Sequence, residues 1–360
     1  MIAAKQELTL ERPKSIPVAV KEYDPSRAQA WDQWIGSYPG ATPFHTTAWV
    51  RALERTFGYS SRSIYSERNG EITGVLPLFL ISNWIRGRCL MSSPFADYGG
   101  ICAADQESAA ALLECAKQIA LYEKVDYLEL RHRSFDLQPG FIPQSLYVTF
   151  SCQLGHDPEA EFKKLPRDTR YMIRKGEKAG LEIESGTSSQ MELFYKLLAT
   201  SWRRLGTPIL SKEWLYILLD EFRQALDLKL VYHKRKAVAG VLSLSSGDTV
   251  FPHYAGAAPE ANQTAANNFM YWQLIQEAIG KGMRRFDFGR SKCGTGAFQF
   301  KSSWNMQVDA LDYQTLLVRR KEVPDVSPLN PKFRIATQLW SRMPLGTTML
   351  LGPKIIRWFP

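Results

Sequence analysis

Between Asp248 and Gln307 the chain switches between two hydrophobic periods. Val250, Pro252 and Tyr254 interleave with Phe251, His253 and Ala255, the period-two pattern of a strand. Pro252 cannot donate to a ladder, so it predicts a bulge or a weakened strand there. APEANQTAAN follows, small and polar, and predicts a loop. Apolar residues at 269, 272, 275, 278 and 279 then form a helical stripe, with Asn267 as N-cap and Gly280 or Gly282 as the stop. Phe286–Phe288 reads as a short strand ending in Gly289-Arg290-Ser291. A strand–loop–helix–strand unit of this kind sets its two strands side by side and near-parallel.

The pattern over the rest of the chain divides it in two. Residues 1–14 read as a polar arm, Ile16–Tyr23 as a strand and Ser26–Tyr38 as a helix. PFHTTAWVRALERTFG predicts a second helix, capped by Thr46 or Thr47, with Trp49, Leu53 and Phe57 on its apolar face. Strands are predicted at 63–67, 70–80 and 88–92, with Asn69-Gly70 as a hairpin turn. The loop SSPFADYGGICA carries Asp97 beside Tyr98; a helix over 106–123 and strands at VDYLELRHRS and 145–154 follow. A new start comes at His156-Asp157-Pro158. The basic stretch after it has an apolar stripe and a Pro166 that splits it into two short helices. Helices over 189–204 and 211–226, strands at 228–234, 237–246 and 248–256, the unit above, and a last strand over 309–318 complete this half. The expected class is α+β, with two tandem modules of mixed, mostly antiparallel sheet over 15–155 and 156–320 and a basic amphipathic tail over 321–360.

Charge narrows the partner. The net charge is +9 and the pI about 9.2, which suits an anionic ligand. Arg167, Arg170, Arg174 and Lys178 recur at spacings of three and four and share one helix face, either a phosphate-reading face or a solvated basic one. In the tail, Lys332, Arg334, Arg342, Lys354 and Arg357 interleave with Trp340, Leu350, Leu351, Ile355, Ile356 and Trp358, the composition of a segment that lies on anionic lipid or packs on the core. Five cysteines, odd in number and without metal spacing, suit the cytoplasm. MIAAKQELTLERPKS has no apolar core for a leader, and no run reaches the ~20 apolar residues of a membrane span. The expected location is therefore cytoplasmic, with peripheral contact at the inner face of the membrane.

The order of elements resembles the GNAT acyltransferase fold, present twice. LPRDTRYMIRKGEKAGLEIE at 165–184, GVLSL at 240–244 and NNFMYWQLIQEAIGKGMRRFDFGRSKCGTGAFQFKSSWN at 267–305 resemble the Fem-type aminoacyltransferase superfamily, and within it the Fem-like proteins of exopolysaccharide and PEP-CTERM systems. The resemblance implies transfer of an acyl or aminoacyl group to an amine of a peptidoglycan, polysaccharide or other cell-envelope precursor. Aminoacyl-tRNA, acyl-CoA or an acyl-carrier protein would be the donor, with no tightly bound cofactor and no DNA partner. A non-catalytic envelope-assembly protein on the same fold is the alternative. One departure stands out: acetyl-CoA-dependent members carry a Gly-rich pyrophosphate loop before the central helix, whereas PEANQTAAN has no glycine.

Ligands of open α/β sheets lie beyond the carboxyl ends of the strands. That rim holds Tyr254, Asn267, Asn268, Asp287, Arg290 and Ser291. Direct attack of an amine on an ester or thioester needs a proton acceptor and oxyanion donors. Asp287 or Asp97 would orient or deprotonate the amine, and Tyr254 would protonate the leaving group. Arg290, Lys301 and the arginine-bearing helix would hold phosphate. The competing role for Asp287 and Arg290 is a structural ion pair.

Overall fold

In the computed structural model, which describes residues 17–144, 146–324 and 331–360, the chain forms three sheets and the helices that cover them. The polar arm at 1–14 lies outside the described residues. Ala19–Glu22, Ile64–Arg68, Glu71–Leu76 and Cys102–Ala103 make a four-stranded sheet. Pro77 interrupts the expected strand over 70–80, and Leu78–Asn83 moves into a six-stranded sheet with Gly87–Ser92 and Tyr127–His132. The second half builds a seven-stranded sheet whose centre is Lys236–Ser246, Thr249–Ala257 and Arg285–Lys292.

The modules exchange strands. Tyr147–Gln153 lies within the expected first module, 15–155, yet pairs antiparallel with Arg285–Lys292 of the second. The predicted strand over 309–318 is in fact two, broken at Leu311. Gln307–Ala310 pairs with Tyr147–Gln153, while Asp312–Leu317 pairs with Tyr127–His132 of the first module. Leu311 N donates to Tyr147 O at 3.0 Å where the two cross.

Local chemistry explains the helices. Thr46 caps Thr47–Phe57 through its hydroxyl, and Gly58, left-handed at φ 65°, ends it. Pro166 divides Pro158–Lys164 from Arg167–Lys178, as expected. The central helix begins two residues earlier than an Asn267 cap implies: it spans Ala266–Gly280 and its N-cap is Ala265 at φ 56°, so Asn267 is inside the first turn and not the cap.

One core joins the halves. Trp49 stacks edge-on to Trp214 of the second module with centroids 5.3 Å apart, and both are fully buried. Arg51 and Arg55 reach Glu221 at 2.7 Å across the same contact. Truncating a buried Trp costs about 3–5 kcal/mol, so this contact alone outweighs thermal separation of the modules. The tail belongs to this body. Its helices Pro331–Arg342 and Leu345–Ile356 bury Trp340, Thr348 and Ile356, and a Cβ at Gly352 would sit 2.9 Å from Ile209 backbone atoms. Arg131 donates to the Pro360 backbone oxygen at 2.9 Å, and Tyr59 to that of Arg357 at 2.7 Å. The tail is thus a packed part of both modules, not a detachable arm. The side chains of Lys332 and Arg334 lie outside the described ones.

Candidate active site at the module junction

Thr249–Ala257 and Arg285–Lys292 run parallel but pair only at Thr249↔Arg285 and Val250↔Phe286. Beyond Val250 they part. On its other side Thr249–Ala257 stays paired with Lys236–Ser246, and the register slips between Leu242 and Ser243, opposite His253. This is the bulge that Pro252 foretold. It brings the rings of His253 and Tyr254 to 4.2 Å. Farther along, Ser201 Oγ takes the N–H of Ala257 at 2.8 Å and closes the opening. Gly256 lets helix Met191–Arg204 come close: a Cβ there would be 2.4 Å from Leu198 N. The edge between Phe251 and Gly256 is where strand N–H groups face the gap.

The loop of the first module faces this gap. His253 Nδ1 is 3.8 Å from Asp97 Oδ2, and Arg290 Nε is 3.5 Å from Asp97 Oδ1. At 3.8 Å the His253 contact is too long for a hydrogen bond. Burial acts to raise the Asp97 carboxyl, but His253, then Arg290 and Lys301, outweigh it and hold it below its ordinary value. His253 is buried among Phe44, Trp49 and Tyr254, and neither ring nitrogen has a hydrogen-bond partner. A buried unpartnered imidazole costs free energy unless a ligand completes it.

Lys301, on Gly296–Ser302, donates to the carbonyls of Phe288, Gly289 and Arg290 at 2.6, 3.0 and 3.0 Å. Burial pushes its ammonium down to about 8 against the pull of Asp97 and Asp287. It therefore holds the turn at Gly289, whose φ is 69° and whose place would not admit a Cβ: Asp97 Oδ2 is 2.1 Å from that position. Arg290 lies over the Tyr147 ring at 5.0 Å and donates to Tyr313 at 3.2 Å. Ser291 Oγ is buried without a partner.

Asp287 is placed differently from a free base. It is fully buried, and its oxygens take bonds from Tyr98, from Arg133 at 2.8 Å, from Thr149 at 3.1 Å and from the Gly289 N–H at 2.8 Å. Burial nevertheless raises its carboxyl above the ordinary value, against Arg133 and Tyr98. Tyr98 and Arg133 come from the first module, so Asp287 ties the two together. Tyr254 is buried too; its hydroxyl accepts from Trp214 Nε1 at 3.0 Å, and burial raises it well above a normal phenol.

Asn268 is buried and Asn267 half-buried in the first turn of Ala266–Gly280. The glycine-free loop spends the N–H groups of Ala261, Gln263 and Ala265 on its own turns. A pyrophosphate would therefore find only the first helical turn and no loop cradle. Arg167 and Arg174 are exposed and Arg170 half-exposed on the helix packed against Ala266–Gly280, away from Asp97 and His253 contacts; Arg174 covers the Phe162 ring at 5.3 Å. The structure thus gathers Asp97, Tyr254, Asp287, Arg290 and Lys301, and leaves the three arginines on a separate face; Ser291 is buried in the same strand as Arg290, with no hydrogen bond to that group. Sequence reasoning missed His253, Tyr98 and Arg133. Only Pro252 hinted at the first, through the bulge.

Residues 163–302 match the family model of the acetyltransferase (GNAT) domain. That stretch is similar to the GNAT domain and takes in less than half of the chain. No match was found among curated proteins. Among solved structures, FemX is similar over 84% of this chain and 98% of its own, with TM-score 0.66 and 15% identity. L-PGS from Bacillus licheniformis is similar over 92% and 100%, with TM-score 0.54 and 11% identity. A tandem GNAT protein from the clavulanic acid biosynthesis pathway is similar over 85% and 100%, with TM-score 0.53 and 9% identity. At such identities the likeness is one of fold: two tandem GNAT modules, as the element order predicted, in the arrangement of a Fem-type protein.

Proposed function

We propose that the chain transfers an acyl or aminoacyl group from an activated ester or thioester to an amine, by direct attack, at the junction of the modules. The observation that carries this is the gap beyond Val250↔Phe286, lined by an unpartnered His253 opposite Asp97. The acyl carbonyl enters the gap and its oxygen meets strand N–H groups between Phe251 and Gly256. His253, oriented by the charge of Asp97, takes the proton of the attacking amine as the C–N bond forms; the C–O or C–S bond to the carrier then breaks, and His253 returns that proton to the leaving alcohol or thiol. Arg290 and Lys301 keep Asp97 ionised and placed. Asp287, whose oxygens are committed, positions the site by joining its two walls. Tyr254 supports His253 and stands next to the leaving group.

The acceptor we propose is an amine on an anionic envelope precursor, peptidoglycan or exopolysaccharide, including those of PEP-CTERM systems. The support is the net charge of +9 and the arginine face of Arg167–Lys178. The donor is an aminoacyl-tRNA or a carrier-bound thioester in preference to a CoA ester, because the loop before Ala266 lacks a cradle. Each would be met on the cytoplasmic side of the envelope.

His253→Ala tests the reading. Transfer from a panel of aminoacyl-tRNA, acyl-carrier and acyl-CoA donors to amine acceptors would be followed by mass spectrometry. With an active pair in hand, loss of a general base lowers kcat by about 10²–10⁴. The variant should keep its melting temperature, and Asp97→Asn should shift the pH profile of kcat/KM. Full activity in His253→Ala would remove the imidazole from the mechanism.

A further inference from the structure

The edge of the first module carries a basic and aromatic face that the transfer chemistry does not use. Two grooves meet there and share Arg88. One, of about 610 Å³, lies between Leu80–Trp84 and the C-terminal helix and is lined by Trp84, Lys354, Arg357 and Trp358. The other, of about 740 Å³, is lined by Leu121, Tyr122, Lys124 and Arg319. Large hydrophobic side chains stand out from this face. Trp84 is 76% exposed, Tyr122 86% and Leu121 58%. Trp84 is braced by Trp358, edge to face at 5.3 Å. Leu350, 68% exposed, shares a helix face with Lys354 and Arg357 at the spacing i, i+4, i+7.

The acids nearby are already committed. Glu123 is held by Arg62 at 2.7 Å and Arg88 at 2.5 Å, and Asp126 faces Arg320 at 3.8 Å. Lys124, Arg319, Lys354 and Arg357 are exposed. Exposed Trp, Tyr and Leu gain nothing in water; the bases of a nucleic acid can stack on the aromatic rings but leave Leu121 and Leu350 uncovered. Cations around aromatic and leucine side chains match the headgroup layer of a bilayer, where Trp and Tyr settle at the boundary and Lys and Arg meet phosphate. No helix among the described residues is long and apolar enough to cross a membrane, so contact through this face would be peripheral.

We infer that the face around Arg88, built jointly by Trp84, Tyr122 and the C-terminal helix, docks the protein on an anionic phospholipid surface. The docking element is a folded composite of the first module and the tail. Removing the tail would expose the core and could not isolate the effect. The face contains no residue of the junction site, so docking and transfer can fail separately.

The experiment is co-sedimentation of the full chain with vesicles of phosphatidylglycerol and phosphatidylcholine against phosphatidylcholine alone, over a range of NaCl. Binding should require phosphatidylglycerol and decline as salt rises. Removing each lysine charge should lower partitioning roughly fivefold, since a basic residue near such a surface contributes about 1 kcal/mol. Lys124→Gln/Lys354→Gln should therefore lower it about 25-fold with an unchanged melting temperature. Trp84→Ser/Leu350→Ser should weaken binding as well. Equal binding to both vesicle types, or no binding at low salt, overturns the inference. So does a charge variant that loses binding while the Trp84/Leu350 variant keeps it, which would mark the face as a site for a soluble polyanion such as RNA.

Discussion

The two modules open their sheets in the same place and use the opening differently. In the first, Gly87–Ser92 and Tyr127–His132 pair at Cys89↔Tyr127, Leu90↔Leu128 and Met91↔Glu129, then part. The following loop fills the gap: Gly99 N donates to Arg131 O at 2.9 Å, Ser93 Oγ bonds to the Phe44 and Gly99 carbonyls, and His45 Nε2 meets Gly100 O at 3.1 Å. In the second module the gap beyond Val250 keeps an unpartnered imidazole. The same loop accounts for both outcomes. Its backbone seals the first opening, while Asp97 and Tyr98 reach across to the second. A single loop thus fills the opening of its own module and forms a wall of the opening in the other.

If that is right, the link through Asp287 should be the most costly single break. Asp287→Ala would leave the buried Tyr98 hydroxyl without its partner and Arg133 with only Ser151 and Asp309. Removing one member of a buried, bonded charge pair costs about 3–5 kcal/mol. Urea denaturation should show a loss of that size, with Asp287→Asn milder because an amide keeps some of the bonds. A loss below about 1 kcal/mol would mean that the modules are held by their other contacts, the Trp49–Trp214 core and the exchanged strands among them, and not by Asp287.

The sealed opening should fail next, and in acid. Burial is the largest cause that depresses the imidazoles of His45, to about 4, and His132, to about 3. A histidine held neutral in the fold gives its full stability above its unfolded value near 6.5. That stability is lost as pH falls below 6.5, because the unfolded chain takes up the proton first, and the loss levels off below the folded values. For His45 alone the shift corresponds to roughly 3 kcal/mol. The urea midpoint should therefore fall between pH 7 and pH 4, and His45→Gln should flatten the slope. An unchanged slope in that variant would show that His45 does not anchor the seal.

The parts of this comparison legible in the sequence were local. Thr46 as a cap, Pro166 as a break and Pro252 as a bulge each act within one turn or one ladder rung, and each is where the residue type demanded. The helix start was missed because Ala265 adopts φ 56° with no residue preference to announce it, while Asn267 looked like a cap. The strand exchange was missed because 307–317 is continuous in pattern; only the placement of two sheets decides that it breaks at Leu311. His253 was passed over because its alternation in a strand is what a core residue would show. Its unpartnered nitrogens follow from a loop more than 150 residues away in sequence. The tail read as a separate segment because its amphipathic composition suits a lipid surface and a core equally well.

The smallest effect belongs to the arginine face, which neither opening contains. Arg167 and Arg174 are exposed, Arg170 half-exposed, and the helix that bears them is fixed from its other side: Thr169 and Ile173 are buried, and Gly176 lets the helix approach Phe269. Arg167→Ala/Arg170→Ala/Arg174→Ala should change stability by no more than about 0.5 kcal/mol per site. Arg174 gives up its contact over Phe162 as well, and a surface cation–π contact is worth only about 0.5–1 kcal/mol. If the face reads phosphate on the acceptor, KM for an anionic acceptor should rise about tenfold or more, with kcat kept, because uniform binding is lost and the transition state is untouched. The rise should shrink with added salt, since exposed charges act within roughly 8–10 Å at ordinary ionic strength. A fall in kcat at constant KM would instead connect the face to the chemistry at His253, and the separation between the two surfaces would have to be abandoned.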